Sequence, residues 1–327
     1  MTSVLICGGA GYIGAHMLKM LALQGYDVVV FDNLSTGHRA AVRWGKLVEG
    51  DILDPSALER LFATNRFDVV IHFCALSLVG ESVRDPYNYY RNNVAGTLNL
   101  LEAMRRARVG KLVFSSTASV YGIPRDDGRL DELHPTIPIN PYGVSKLMVE
   151  RVLQDAAHAY GLRSVALRYF NAAGADPEGD IGESHVPETH LIPNVLRAAL
   201  GVGDGALQVF GDDYDTRDGT CVRDYVHVND LASAHLHAIH FLEKNPGAHC
   251  FNLGSGKGAT VLEIIAATRE VTGRTIPFTR MPRREGDPAM LVADTRRAEA
   301  GLGWQPVFSD IRDIIETAWR WHCSPHY

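Results

Sequence analysis

An alternation of two periods in the first half of the chain constrains its fold more than any other feature. Short apolar runs stand at residues 4–7, 28–31, 47–48, 69–73, 112–114 and 165–167. Segments with helical spacing lie between them, at 13–23, 55–62, 87–107 and 142–160. A strand that is apolar on both faces must be covered on both, and crossover helices provide that cover when the strands are parallel. The pattern predicts an α/β fold: a doubly wound parallel sheet, Rossmann-like, with ligands at the carboxyl ends of its strands. Beyond residue 167 the pattern loosens into Gly-, Asp- and Pro-rich stretches at 171–187, 201–205 and 211–219, with shorter helices at 231–242 and 261–271. Two domains follow: a nucleotide-binding domain over residues 1–170 and a smaller, loop-rich substrate-binding domain over 171–327. The boundary is soft and leaves the chain free to cross between lobes more than once.

The first strand runs directly into Gly8-Gly9-Ala10-Gly11-Tyr12-Ile13-Gly14. Gly8 falls at the turn, Gly11 where the backbone would approach a pyrophosphate, and Gly14 where the following helix meets the strand. The helix start then offers unpaired N–H groups and partial positive charge to the phosphates. Asp32 ends the second strand, 18 residues beyond Gly14. A carboxylate there suits the ribose hydroxyls of the adenosine and repels a 2′-phosphate, so the expected cofactor is NAD rather than NADP. Asn33 stands beside it, and Asp51-Ile52, after the third strand, is placed to flank the adenine. Read without that context, Asp32 and Asp51 are ordinary turn or helix-cap residues.

Tyr142 and Lys146 lie four apart on a predicted helix, one turn from each other on the same face. A free phenol has a pKa of about 10 and is a poor base at neutral pH. A neighbouring ammonium, helped by a positive nicotinamide ring, would bring it towards the working range. Most Tyr-x-x-x-Lys pairs are surface pairs, but here a strand ends in Ser115-Ser116-Thr117 about 25 residues earlier, where a doubly wound fold opens its site. Thr117 is thus placed to share a proton with the substrate oxygen beside Tyr142.

Composition removes other classes. The net charge is −6 over 327 residues, which leaves no field to attract nucleic acid or an anionic membrane. No run reaches the roughly 18 apolar residues of a membrane span, and no leader pattern precedes the first strand. Five scattered cysteines without a CxxC pair read as reduced thiols of a cytoplasmic protein and suggest no metal site.

In their order and context these residues resemble the extended short-chain dehydrogenase/reductase family, on its branch of sugar-nucleotide 4-epimerases. Besides the motifs above, the likeness runs through Glu49-Gly50-Asp51, Val79-Gly80-Glu81-Ser82, Asn92-Asn93-Val94, Gly96-Thr97, Pro141-Tyr142-Gly143, Ser145-Lys146 and Arg168-Tyr169-Phe170-Asn171. It continues in Asp218-Gly219-Thr220, Arg223-Asp224-Tyr225, Asn252-Leu253-Gly254 and Arg283-Arg284-Glu285-Gly286-Asp287. The resemblance implies Tyr142 as base, Lys146 as its partner and Thr117 as the assisting hydroxyl. It implies that Tyr12, Ile13, Phe73, Cys74, Ala75, Asn93, Ser115 and Phe170 join the glycines around NAD. It gives Asn171, His190, Arg223, Tyr225, Arg284 and Asp287 to the nucleotide diphosphate and ribose of a UDP-hexose. Leu191 and Phe210 would line the uridine pocket, and Leu291 the space around C2 of the sugar. The implied chemistry removes hydrogen from C4, leaves a transient 4-keto sugar, and returns hydrogen to the opposite face after the sugar turns.

Departures from the common pattern are Ala75, Ser77 and His190. The acid–base pair that a 4,6-dehydratase carries after the catalytic Thr is missing, since Ala118-Ser119 stand there. A UDP-N-acetylglucosamine or UDP-pentose substrate fits the same site chemistry. A non-catalytic NAD-binding protein of this fold would be expected to lack the Tyr or the Lys. Helices 87–107 and 142–160 carry surplus apolar residues, which in the family form a four-helix homodimer contact.

Overall fold

Alternate residues of the first strand leave for opposite faces, and two hydrophobic cores receive them: Val4 and Ile6 enter one, Leu5 and Cys7 the other. The computed structural model, which describes residues 2–124, 129–202, 206–284 and 286–327, repeats this division across seven strands. They are β1 (Ser3–Cys7), β2 (Asp27–Asp32), β3 (Lys46–Glu49), β4 (Val69–His72), β5 (Lys111–Thr117), β6 (Arg163–Tyr169) and β7 (Ala248–Leu253). Their order is β7-β6-β5-β4-β1-β2-β3, and every pairing is parallel. The order reverses between β1 and β4, so the loops leaving these two strands diverge and open a crevice at their carboxyl ends.

The helices that matter to the site are α1 (Tyr12–Leu23), α2 (Gly96–Arg106), α3 (Pro141–Tyr160) and α4 (Val228–Lys244). Local chemistry sets the ends of α3: the Asn140 side chain accepts from Gly143 N at 2.8 Å, Pro141 opens the first turn, and Gly161 closes it in the left-handed region at φ 69°. Its buried face includes Ser145, Lys146 and Glu150 as well as Val149 and Leu153. A helix that spends half of its buried stripe on polar groups has something other than packing to do.

Two features correct the reading of the sequence. The single helix expected over 87–107 is divided into a short turn at Pro86–Tyr89, a π-helical stretch at Tyr90–Ala95, and α2. The widened turn buries Asn93, and Thr97 donates to its carbonyl oxygen at 2.6 Å. The division at residue 170 also fails to follow the layers, because β7 completes the main sheet and α4 packs in the same core as α1. Residues 225–253 therefore return to the nucleotide-binding lobe. The rest of the C-terminal region has its own core, where Ile192, Val195, Leu196, Ile264, Ile265 and Ile315 meet. Of its expected loops, residues 203–205 lie outside the described part of the chain.

Four buried histidines make the fold sensitive to acid. Burial lowers His72 and His227 to about 3, and His16 and His235 to about 4. Each is neutral when folded and binds a proton on unfolding once the pH is below the free imidazole value of about 6.5. Their contribution is therefore present above that pH and is lost as the pH falls towards the folded values. Between pH 7 and 5.5 the loss is about 1.2 kcal/mol per histidine. Urea midpoints measured over that interval should fall steeply; a flat midpoint would contradict the neutral buried state.

Candidate active site

At the switch point, the N–H groups of Phe73 and Cys74 both donate to Cys7 O, at 2.8 and 3.2 Å, so the β4 exit lies against the glycine loop. Gly8 takes φ 85°, and a Cβ there would lie 2.7 Å from Cys74 N. A Cβ on Gly14 would lie 2.2 Å from Gly8 O, which only glycine avoids. Gly11 differs: a Cβ would meet nothing nearer than Gly8 O at 3.5 Å, so its backbone faces open space. Gly11 is also the N-cap of α1, with no side-chain cap and no acidic residue in the first turn. Uncapped N–H groups at the end of a helix, beside a glycine open to approach, fit a diphosphate. The cradle thus suits the dinucleotide expected from the sequence.

Asp32 is buried, and its carboxylate accepts from Ala10 N at 2.9 Å and Leu34 N at 2.8 Å. It braces the glycine loop while standing at the β2 exit, so the turn role and the ribose role are compatible. Asn33 donates to Asp51 at 2.9 Å, and Asp51 accepts from Leu53 N at 2.8 Å. The cap of the next helix is Asp54, not Asp51. Ile52 is buried beneath Gly96, where a Cβ would meet it at 2.7 Å. Asn93 has both ends of its amide engaged: with Leu76 N at 2.9 Å, Leu76 O at 3.0 Å and Ser145 Oγ at 3.0 Å. It acts by tying the segment after β4 to α3, which fixes Phe73, Cys74 and Ala75 relative to the helix of Tyr142.

Tyr142, Lys146, Ser115 and Thr117 come together where α3 crosses the end of β5. Lys146 is almost fully buried; its ammonium donates to Ser115 O at 2.7 Å and lies 4.8 Å from the Phe114 ring centre and 5.9 Å from that of Tyr142. Burial lowers Lys146 to about 7, against the opposing pull of Cys74 and Glu150. Tyr142 is pushed up to about 12 by burial, while a hydrogen bond with Thr117 pulls it down. The protein's own groups therefore do not hold the phenol anionic, which corrects the expectation drawn from the Tyr/Lys spacing. The reason is physical: one lysine that is itself desolvated, with its proton aimed at a backbone carbonyl, offers little to a phenolate. The hydroxyls of Ser115 and Tyr169 are also hydrogen-bonded to each other.

Two small sheets gather the residues on the substrate side. Asn171–Ala173 pairs with Tyr225–His227, setting Asn171 opposite Tyr225, and Val222–Arg223 pairs with Met290–Leu291, setting Arg223 opposite Leu291. Arg223 is ion-paired with Asp287. The Arg284 guanidinium lies 3.9 Å over the Phe210 ring, whereas Arg283 turns to Asp213 and the Tyr214 ring; Glu285 lies outside the described residues. Phe170 and Leu291 pack on one cluster with Ala118, the residue after Thr117. Leu191 opens the helix Leu191–Leu200 and packs in the C-terminal core.

The Nδ1 of His190 lies 2.8 Å from Glu183 and 3.0 Å from Glu188, and its side chain is half exposed. Sequence reasoning missed Asp224. This fully buried carboxylate accepts from Ser255 N at 2.7 Å, Gly256 N at 3.0 Å and Ala293 N at 3.0 Å, and so clasps two separated segments behind Arg223. Its only signal was an acid between two residues already assigned to ligand.

A dinucleotide cradle and a Tyr/Lys/Thr set at one crevice define a class, and residues 4–254 match the model of the NAD dependent epimerase/dehydratase family. The chain belongs to that family. It is 51% identical to a UDP-glucose 4-epimerase of Lacticaseibacillus casei, over 98% of this chain and 96% of the relative. Among solved structures, UDP-glucose 4-epimerase from Brucella ovis in complex with NAD superposes with a TM-score of 0.95 at 52% identity, covering 98% of each chain. The enzyme from Bifidobacterium longum in complex with NAD+ and UDP gives 0.93 at 41%, covering 99% of each.

Proposed function

We propose that the chain is an NAD-dependent 4-epimerase that interconverts UDP-glucose and UDP-galactose through a transient 4-keto sugar. The observation that carries this reading is the convergence of Tyr142, Thr117 and Lys146 beside the glycine cradle. NAD, when bound, supplies the acceptor and later the donor of the C4 hydrogen, and its positive ring favours the phenolate. Tyr142 takes the proton of the sugar hydroxyl and returns it after the sugar has turned, with Thr117 sharing that hydrogen bond. Lys146 would hold the nicotinamide ribose. The grip belongs on the UDP half, because a hexose held tightly by its own hydroxyls could not present its second face. Asn171, Arg223, Arg284, Asp287, Leu191 and Phe210 supply that grip, with forked guanidinium groups suited to a pyrophosphate. His190 stands at the start of the same helix as Leu191.

Incubation with UDP-galactose, with products identified by NMR, tests the reading: UDP-glucose should accumulate to equilibrium without added reductant. Its absence from enzyme loaded with NAD would end the proposal. Leu291 sets the breadth of the substrate. A leucine beside Phe170 leaves more room at C2 than a tyrosine would, so the N-acetylated analogue should also turn over, and Leu291→Tyr should abolish that activity while sparing UDP-galactose. Absence of N-acetyl turnover by the unaltered enzyme would refute this role.

The chain also acts as a homodimer. Val83, Tyr87, Leu98 and Met148 are exposed apolar side chains on the helical segments 79–106 and α3, and a cleft between them is lined by Tyr90, Val94, Ala95, Leu98 and Met148. Such a patch marks an interface. Light scattering at micromolar concentration should give twice the chain mass, and Leu98→Lys with Met148→Lys should give the monomer; a monomeric unaltered protein would contradict the dimer. All five cysteines are free, and among the described residues no helix is long and apolar enough to cross a membrane. We place the enzyme in the cytoplasm, where such thiols stay reduced.

A further inference from the structure

Glu183, His185, Glu188 and His190 bring four ligand atoms within 4.8 Å of one another. They come from one stretch, Glu-x-His-x-x-Glu-x-His, between the Gly- and Asp-rich loop and the helix Leu191–Leu200. Glu183 is 95% buried, its side chain only 5% exposed, and its backbone carbonyl accepts from Trp321 Nε1 at 2.9 Å, which anchors that end rigidly. Both imidazoles turn Nδ1 towards the same two carboxylates. The separations are 2.8 and 3.0 Å from His190, and 3.2 and 3.7 Å from His185. Four ligands arranged tetrahedrally at zinc-like bond lengths of about 2.0–2.1 Å stand about 3.3–3.4 Å apart. The observed separations bracket that value.

Hydrogen bonding alone leaves this arrangement incomplete. The Nδ1 of His185 is fully buried and, although it lies within ion-pair distance of Glu183, makes no well-directed hydrogen bond. A central cation would take the lone pairs of all four groups without asking either imidazole to aim a proton. We propose that these residues form a closed, structural site for a divalent transition metal of the zinc class. Two imidazoles and two carboxylates suit such an ion better than calcium or magnesium, which prefer oxygen throughout. Four protein ligands leave no open position, so the ion serves architecture rather than chemistry. The site braces the crevice from the substrate side. The Tyr12 ring, at the end of the glycine loop, lies perpendicular to that of His185 at 6.3 Å between ring centres, and Tyr12 Oη donates to Gly174 O at 2.6 Å. His190 directly precedes Leu191. The ion would thus fix the start of the substrate helix relative to the dinucleotide loop. The site departs from the metal-free expectation, which rests on the absence of paired cysteines.

The test uses the full-length protein with NAD bound, stripped of metal by a chelator and then titrated with cobalt(II) chloride. One cobalt per chain should bind with the intense visible bands of a four-coordinate ion, and zinc(II) should displace it. His185→Ala and Glu188→Ala should each weaken binding by about 100-fold, the upper end of what loss of even a supporting group does at metal sites. The spectrum of the unaltered protein decides the question even where a variant folds poorly. Failure to bind one equivalent would overturn the site. So would the weak bands of a six-coordinate ion, or binding undiminished in both variants.

Discussion

Replacing Tyr142 with Phe should lower kcat by about 10²–10⁴-fold, the range that a positioned proton-transfer group contributes, with KM for UDP-galactose changed by less than about threefold. The asymmetry follows from where each task is done. The phenol oxygen takes part only in moving the proton of the hydroxyl at C4, whereas Asn171, Arg223 and Arg284 hold the UDP half whether or not the proton moves. Loss of an interaction made in the transition state alone appears in kcat, and loss of uniform binding appears in KM. The variant should fold normally, because the Tyr142 hydroxyl is hydrogen-bonded to Thr117 rather than to a structural network. Steady-state kinetics with both UDP-hexoses checks the result. Unchanged kcat in Tyr142→Phe would remove the base from the mechanism.

Arg168→Met should destabilise the protein by about 3–5 kcal/mol, the cost of leaving a buried carboxylate unpaired. Arg168 and Glu150 are each only 5% exposed, and the guanidinium grips the carboxylate with Nε at 2.9 Å and Nη2 alongside. Ser116 Oγ donates to the same carboxylate, and Arg168 Nη1 donates to Tyr121 Oη at 3.0 Å. Tyr121 in turn donates to Asn252 Oδ1 at 2.6 Å, on β7. The network lies directly behind the chemistry: Glu150 is one turn beyond Lys146 on α3, and Ser116 stands between Ser115 and Thr117 on β5. It locks α3 to β5, β6 and β7 in the register that brings Tyr142 to Thr117. Pairing Arg168→Met with Glu150→Leu should recover most of the loss, since a buried ion pair replaced by apolar groups of similar volume is close to neutral. Urea unfolding of both variants tests this. A single substitution costing under about 1 kcal/mol would show that Glu150 finds another partner or water.

The parts of this protein that were legible in the sequence are those in which one stretch carries its own reason. The strands could be read because both faces of β1, β2, β4 and β5 are apolar. The cradle could be read because Gly8, Gly11 and Gly14 follow a strand and precede a helix, with Asp32 at the next strand end. What escaped depends on partners distant in the chain. β7 reads Ala-His-Cys-Phe-Asn-Leu, interrupted by two polar residues, and joins the sheet only because β6 offers it an edge. The π-helical turn at Tyr90–Ala95 answers to Leu76 and Ser145, which no helical period reveals. The pair of Arg168 and Glu150, and the clasp around Asp224, join elements that periodicity treats separately. The ionisation of Tyr142 is hidden from the sequence for a related reason: spacing puts a lysine one turn away, but both groups are desolvated and the lysine proton is turned to Ser115 O.

Burial keeps the Tyr142 phenol neutral until a positive charge joins it. The ultraviolet difference between unaltered enzyme and Tyr142→Phe, both fully loaded with NAD, reports the ionisation of that one phenol as pH is raised. A nearby opposite charge lowers an acid by roughly 1–3 units. From the value of about 12 that burial imposes, the midpoint with NAD bound is therefore predicted between about 9 and about 11. A midpoint still near the burial-imposed value in the loaded enzyme would contradict Tyr142 as the base.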